Sequence, residues 1–347
     1  VSARRVALET FLEWDSSAET ADAILDRRLA ALGGRDRDLA AELVRGVFRW
    51  RGRLDWQLAA LVDRPLASLD PSVLWILRLG LYQIDHLDRV PAHAACDTSV
   101  ELAKRSAPRG ASGLVNAVLR RAPAVLPDLV EPDPGEDPAG HLEARTSHPR
   151  WLLERWLARW GFRRTLAVAA AGTRRPSLTV RAASPRVEPL DLVADLRAQG
   201  VAAEPGLVLP DFVRLPDGWS PVVRDLLEQG LAVVQDEAAG LVAHVARPFQ
   251  GASVLDACAG PGGKAVHLAQ LTGGPVLAAD VSLARARRVR EAAARLELRN
   301  VTVVAADGLR PAVQGRFSRV LVDAPCTNTG VLGKRADARW RRTPEDL

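Results

Sequence analysis

Leu255-Asp-Ala-Cys-Ala-Gly-Pro-Gly-Gly-Lys264 is the stretch that decides how this chain folds. It follows a short apolar run, 252–255, of the kind that forms a strand buried in a parallel sheet. It then breaks into glycine and proline and opens onto Ala265, Val266, Leu268 and Ala269, spaced for a helix. A strand ending in an acid, a glycine turn and a helix start together predict a nucleotide-type cofactor site. Gly260, Gly262 and Gly263 would let the backbone approach a ligand that a Cβ would strike.

Spacing discriminates among such sites. A phosphate-binding P-loop needs Gly four residues before its Gly-Lys pair and Ser or Thr after it. Those places hold Cys258 and Ala265, so that reading fails. The dinucleotide fingerprint accepts Ala265 as its third small residue after Gly260 and Gly262, but Pro261, the adjacent glycines and Cys258 are unusual for it. The downstream pattern favours a third cofactor. A second apolar run, 275–279, ends at Asp280, where an acid commonly binds the two hydroxyls of an adenosine ribose. Ser282 is placed as the N-cap of a helix with apolar residues at Leu283, Ala286, Val289, Ala293 and Leu296. Runs 301–305 and 317–322 lead into Asp307-Gly308 and Asp323-Ala-Pro-Cys326. One acid after a strand is ordinary loop solvation. Four in succession mark the carboxyl edge of a doubly wound sheet, where ligands bind.

With these motifs the chain resembles the S-adenosylmethionine-dependent RNA (cytosine-5)-methyltransferases, in particular the bacterial 16S ribosomal RNA branch of the RsmB (Sun/Fmu) type. The resemblance extends through Gly80-Leu-Tyr-Gln83, Val90-Pro-Ala-His93, 113–120, Ser147-His-Pro-Arg-Trp-Leu152 and Val234-Gln-Asp-Glu237. It implies an all-α, NusB-like RNA-binding domain over 1–130 and a linker over 131–145. A helix with a small α+β RNA-binding segment would follow over 146–235, then a Rossmann-like methyltransferase domain over 236–347. Cys258, Ala259, Gly260, Pro261, Gly262, Gly263 and Lys264 would wrap the cofactor. Asp280 would hold its ribose, Asp307 would sit by the adenine, and Asp323 would lie between cofactor and base. Two positions depart from the family pattern: Ala265 stands where Thr is usual, and Gly260 where Ala is commoner.

The implied chemistry is covalent. Carbon 5 of cytosine is a weak nucleophile, and a thiolate added at carbon 6 gives it enamine character. Asp323 would stabilise charge developing at nitrogen 3. In the family two cysteines act: that of the Pro-Cys motif, here Cys326, assists product release, and a downstream Thr-Cys cysteine is the nucleophile. The cysteines here are Cys96, Cys258 and Cys326, the chain has no Met, and it begins with Val1. The expectation is therefore a C-terminally truncated fragment with an incomplete sheet and an unpaired apolar edge, poorly soluble and inactive alone. The rival is a complete enzyme that uses Cys326 as its nucleophile. An amino-nitrogen methyltransferase fits less well, since Cys326 stands where those enzymes place an aromatic. A non-catalytic, antitermination-like RNA-binding protein leaves the cofactor turn unexplained.

Composition sets broader bounds. The 347 residues are 48% hydrophobic and 26% charged, with no long apolar run. That predicts a soluble, multidomain protein without a membrane span or a leader. Three scattered cysteines form no metal-ligand pattern and fit a reducing cytoplasm. The expected partner is 16S ribosomal RNA, with no metal, and the expected state is a monomer. A net charge of +5 agrees with RNA binding but is weak support for it, because only Lys104, Lys264 and Lys334 among 47 basic residues are lysines and genomic base composition gives the same skew.

Along the N-terminal region, Leu39, Leu43, Val47 and Trp50 form one helical stripe. Asp70-Pro71 caps a helix, 73–84, that is apolar nearly all round and so is expected at the centre. Arg45, Arg49 and Arg53 read as a solvated face, with an RNA stripe as the rival. Residues 131–140 hold three prolines and four acids without periodicity, which predicts a linker. Trp151, Trp156 and Trp160 have core spacing, and His93 and His148 read as structural. The segment 176–235 predicts strands at 178–181, 206–209, 212–215 and 232–234 and a helix over 189–199. Arg174, Arg175 and Arg181 are candidate RNA contacts there.

Overall fold

The computed structural model describes residues 2–310 and 315–346. The chain divides into two compact units, Val1–Arg175 with Thr327–Leu347, and Pro176–Cys326. Residues 327–347, which the sequence pattern groups with the methyltransferase domain, thus cluster with the helical unit.

The first unit contains helices α1 (Ala3–Ser16), α2 (Ala21–Leu29), α3 (Gly34–Leu61), α4 (Pro71–His86), α5 (Ala92–Ser106), α6 (Ala111–Val125), α7 (Pro138–Thr146) and α8 (Arg150–Thr173). The Asp70 side chain accepts from the Ser72 amide and Pro71 takes the first turn, where a missing N–H costs nothing. The helix that follows, α4, is buried from Trp75 through Gln83. Its Trp75 stacks on Phe11 of α1 at 4.6 Å, and Phe48 of α3 packs edge-on against both. These three rings sit within a larger buried cluster that includes Leu8, Leu43 and Leu58, and their edge and stacked contacts add to its apolar burial. Arg45 pairs with Asp22 at the surface, but Arg49 and Arg53 are half-buried, and Arg53 bonds Glu131 and the Ala144 carbonyl. Only one of the three arginines therefore matches a solvated face. His148 is buried and bonds the Thr146 carbonyl, as a structural histidine would.

A short helix, Ala338–Arg341, fastens the C-terminal segment to this unit. Its Arg339 is fully buried and donates to the carbonyls of Arg49, Ser147, Gly172 and Leu332. Trp340 Nε1 donates to the Phe48 carbonyl at 2.6 Å.

The second unit carries two sheets. The first runs through β1 (Leu178–Ala182), α9 (Pro189–Ala198), β2 (Glu204–Pro205), β3 (Phe212–Leu215), α10 (Pro221–Glu228) and β4 (Ala232–Val234), antiparallel in the order β2-β3-β1-β4. Residues 206–209 are a loop and not the expected strand. The Glu237 carboxylate gathers the amides of Leu207, Val208 and Leu209, leaving the first two side chains exposed. The second sheet follows as α11 (Glu237–Val245), β5 (Val254–Asp256), α12 (Gly263–Thr272), β6 (Val276–Asp280), α13 (Leu283–Arg295), β7 (Val301–Ala305) and β8 (Arg319–Leu321). Its strands are parallel in the order β7-β6-β5-β8. The chain steps from β5 to β6 to β7 on one side and returns to pair β8 on the other, so the direction of winding reverses at β5. Val254, Leu268, Val276 and Val289 form the core between this sheet and its helices. At the edge beyond β5, Val320 within β8 and Val322 just after it have exposed side chains. Among the described residues no helix is long and apolar enough to cross a membrane.

Candidate active site

In open α/β sheets the crevice lies outside the carboxyl ends of the strands where the winding reverses. Here that point is the end of β5, and the turn 257–262 starts there. Gly262 adopts φ +116° at the N-terminus of α12, and a Cβ on it would lie 3.1 Å from the Val289 backbone of α13. At Gly260 a Cβ would meet the Asp280 carboxylate at 2.6 Å, whereas Gly263 has nothing closer than 3.9 Å. Two of the three glycines thus serve close packing of the turn on its own fold, and one leaves open space.

The acids that end the strands sit around this turn. Asp280 at the end of β6 accepts from the Gly260 amide at 3.0 Å and the Ser282 amide at 2.8 Å, with Arg285 Nε at 3.2 Å. Ser282 caps α13 as its spacing predicts. Ala259 is buried and donates to the Ala279 carbonyl, which pins the turn to β6, while Pro261 is exposed. Lys264 Nζ reaches the Asp323 carboxylate at 2.5 Å, joining the helix start to the segment after β8. Asp307 follows β7, is exposed, and accepts from the Leu309 amide. Cys326 is exposed, Cys258 half-buried and Cys96 buried in the other unit. Burial pushes the Cys258 thiol up, and the carboxylates of Asp256, Asp280 and Asp323 add to the effect, so it stays protonated.

Asp256, which the sequence marks only as the acid ending a strand, has the most perturbed carboxyl of the group. It is 1% exposed, Oδ1 accepts a long bond from the Cys258 amide, and Oδ2 has no partner. Burial pushes its pKa up to about 6, against the opposing pull of the Cys258 amide and Lys264. A buried carboxylate oxygen without a donor is suited to a cationic group of a ligand. The start of α12, with no side-chain cap, is suited to an anionic one. Together they match a zwitterionic amino-acid moiety such as that of S-adenosylmethionine, with Asp280 available for hydroxyls. Arg181, a candidate RNA contact by sequence, is instead fully buried. It donates to Gln235 and Gln270 and so braces α12 from β1. A further group escapes sequence spacing altogether: Asp211, His244 and His267, which meet from three segments.

Comparison with known proteins follows the same division of the chain. The NusB family matches residues 1–123, the ferredoxin-like domain of RsmF/B-like methyltransferases matches 148–239, and 16S rRNA methyltransferase RsmB/F matches 243–347. The "Probable ribosomal RNA small subunit methyltransferase B" of Bacillus subtilis is 32% identical, across 99% of this chain and 78% of that protein. Ribosomal RNA small subunit methyltransferase B of Pseudomonas putida is 35% identical, across 93% of this chain and 73% of its own length. The crystal structure of PH0851 superposes with a TM-score of 0.74 over 99% of this chain and 79% of that one, at 20% identity, and so shares the fold. With all three domain types in order and such identity along nearly its whole length, the chain belongs to the 16S rRNA methyltransferase RsmB/F family.

Proposed function

We propose that this chain binds S-adenosylmethionine in the turn 258–264 and directs its methyl group to carbon 5 of a cytosine in 16S ribosomal RNA, in the cytoplasm. The observation that carries the reading is the unpartnered, buried carboxylate oxygen of Asp256 at the foot of a glycine turn, beside Asp280 at the end of the next strand. When bound, S-adenosylmethionine supplies an electrophilic methyl on a sulfonium.

The chain's own residues hold the cofactor and position the base, while none of Cys96, Cys258 and Cys326 is the Thr-Cys nucleophile that the family resemblance implies. Cys258 to Lys264 form the cradle, Asp280 takes ribose hydroxyls in exchange for its contact with Arg285, and Asp307 lies on the adenine side. Lys264 holds the Asp323 carboxylate in place, where it would accept from the exocyclic amine of the base and, once nitrogen 3 takes up a proton as negative charge grows there, from that N–H as well. A cysteine thiolate would add to carbon 6, making carbon 5 nucleophilic toward the sulfonium methyl with S-adenosylhomocysteine as the leaving group, and transfer of the carbon 5 proton to a general base would then expel the thiolate and re-form the double bond. Cys326, the exposed thiol of this unit, takes part at the release step.

Calorimetric titration tests the cofactor assignment, with S-adenosylmethionine expected to bind one to one and to be displaced by S-adenosylhomocysteine. Saturable binding of a nicotinamide dinucleotide or a nucleoside triphosphate in its place overturns it. Digestion of 16S RNA after incubation with methyl-labelled cofactor tests the target: a longer chain that supplies a downstream Thr-Cys cysteine is expected to leave the label as 5-methylcytosine, and residues 1–347 by themselves are expected to leave none. Label on an amino nitrogen refutes the covalent route.

A further inference from the structure

Away from the cofactor turn, three side chains of the second unit converge from separate segments. Asp211 immediately precedes β3, His244 lies in the last turn of α11, and His267 lies within α12. His267 Nε2 is 2.9 Å from Asp211 Oδ2, and His244 Nε2 is 3.4 Å from Asp211 Oδ1. The two imidazoles stand 5.1 Å apart at 77°, and one ligand-type atom from each residue lies within 4.8 Å of the others.

His267 and Asp211 are close enough to attract one another, yet most of the facing atoms lack a well-aimed hydrogen bond. Asp211 Oδ1, His244 Nε2 and His267 Nε2 are all buried and unpartnered. The 2.9 Å contact of His267 Nε2 with Asp211 Oδ2 is close but poorly aimed for a hydrogen bond. Buried polar atoms are rarely left so, and each such case in a folded protein calls for a missing partner. Three of them meeting at one point, two imidazole nitrogens and a carboxylate oxygen, share an obvious one.

We propose that Asp211, His244 and His267 bind a divalent metal ion of the zinc type, with the fourth position open to water. Ligand bonds of about 2.0–2.1 Å in a tetrahedron set neighbouring ligand atoms about 3.3 Å apart. The 2.9 and 3.4 Å separations run to the two different oxygens of Asp211, and with one atom from each residue the set lies within 4.8 Å, so the side chains would draw in slightly around an ion. His267 is 1% exposed, so bulk water does not compete for its ring nitrogens. The guanidinium of Arg181 bears on both Asp211 and His267, which disfavours an ion held by charge alone. Two imidazoles and one carboxylate suit zinc, cobalt or nickel, whereas calcium and magnesium want more oxygens. Such an ion would clasp the start of β3 to α11 and α12, and α12 is the helix that begins at the glycine turn.

The test uses the tag-free chain, stripped with a chelator and titrated with Zn2+ against a chromogenic competitor, and with Co2+ followed by visible absorption. One equivalent of each is expected, Co2+ giving the intense bands of a four-coordinate site. His244→Ala, at a half-buried position, is expected to weaken Zn2+ by more than about 10-fold, a loss that even outer partners of metal ligands reach. His244→Cys is expected to restore binding and to add a thiolate-to-cobalt charge-transfer band, a signature that a merely structural role would not produce. Circular dichroism and His267→Asn, measured in parallel, separate loss of a ligand from loss of fold. Absence of a stoichiometric site in the wild-type chain overturns the proposal, as does unchanged affinity in both folded variants. The cluster is then an electrostatic brace only.

Discussion

Replacing Asp256 by Asn should make the ligand-free protein more stable and cofactor binding weaker. The carboxyl is buried, its pKa raised from 3.8 to about 6. A shift of about 2 pK units corresponds to about 3 kcal/mol disfavouring the ionised form in the folded state. The sign follows from proton counting. Between about pH 4 and 6 the native chain holds more protons at this site than the unfolded chain, so stability falls as pH rises through that window. Above pH 6 the full penalty persists, and below pH 4 it vanishes. An amide carries no such penalty but leaves an N–H unpaired where Oδ2 now stands, which costs about 1–2 kcal/mol. The expected gain at pH 8 is therefore about 1–2 kcal/mol, absent or reversed at pH 4. Hydrogen exchange of the β5 and α12 amides reads this locally, without requiring the whole chain to unfold in one step. Binding moves the opposite way. A cationic ligand at Asp256 should expel the proton, so titrations near pH 5.5 in buffers of different ionisation heat should show proton release by the wild type and none by the variant. Slower-exchanging amides in the wild type than in Asp256→Asn at pH 8, with equal cofactor affinity, would refute the reasoning.

Two further substitutions probe the scaffold. Gly262→Ala forces a side chain into φ +116° and against the Val289 backbone at 3.1 Å, so a loss of about 1–3 kcal/mol is expected, seen as faster exchange in α12 and α13. Arg339→Met removes the guanidinium that serves four backbone carbonyls in the helical unit. Leaving those oxygens dry should cost at least about 3 kcal/mol, read as a lower urea midpoint for the tryptophan-rich unit.

The parallel sheet was legible because its signal is local. Each apolar run is short, ends in an acid or a loop, and needs no distant partner to be recognised: β7 falls on 301–305 and β6 ends at Asp280 as expected. What failed to show depends on contacts between remote residues. Residues 206–209 look like a strand because they are apolar, yet a single carboxylate 28–30 residues away takes three of their amides. The two-turn helix α10 buries only Val223, too little for a periodic pattern. Arg181 looks like a surface cation until Gln235 and Gln270 close over it. At Asp256 the pattern locates the acid, but its missing donor emerges only from the packing around it. The Asp211, His244 and His267 group has no characteristic spacing, because its members come from three different elements.

The helical unit joins residues 1–175 to residues 327–347, with Arg339 and Trp340 seated among residues 48–172. During synthesis, therefore, residues 1–175 leave the ribosome well before the piece that completes them. At about 5–20 residues per second, the intervening stretch takes on the order of ten to thirty seconds to translate. For that interval the nascent helices wait with the carbonyls of Arg49, Ser147 and Gly172 still open to water, and they close only after residues 176–326 have been made.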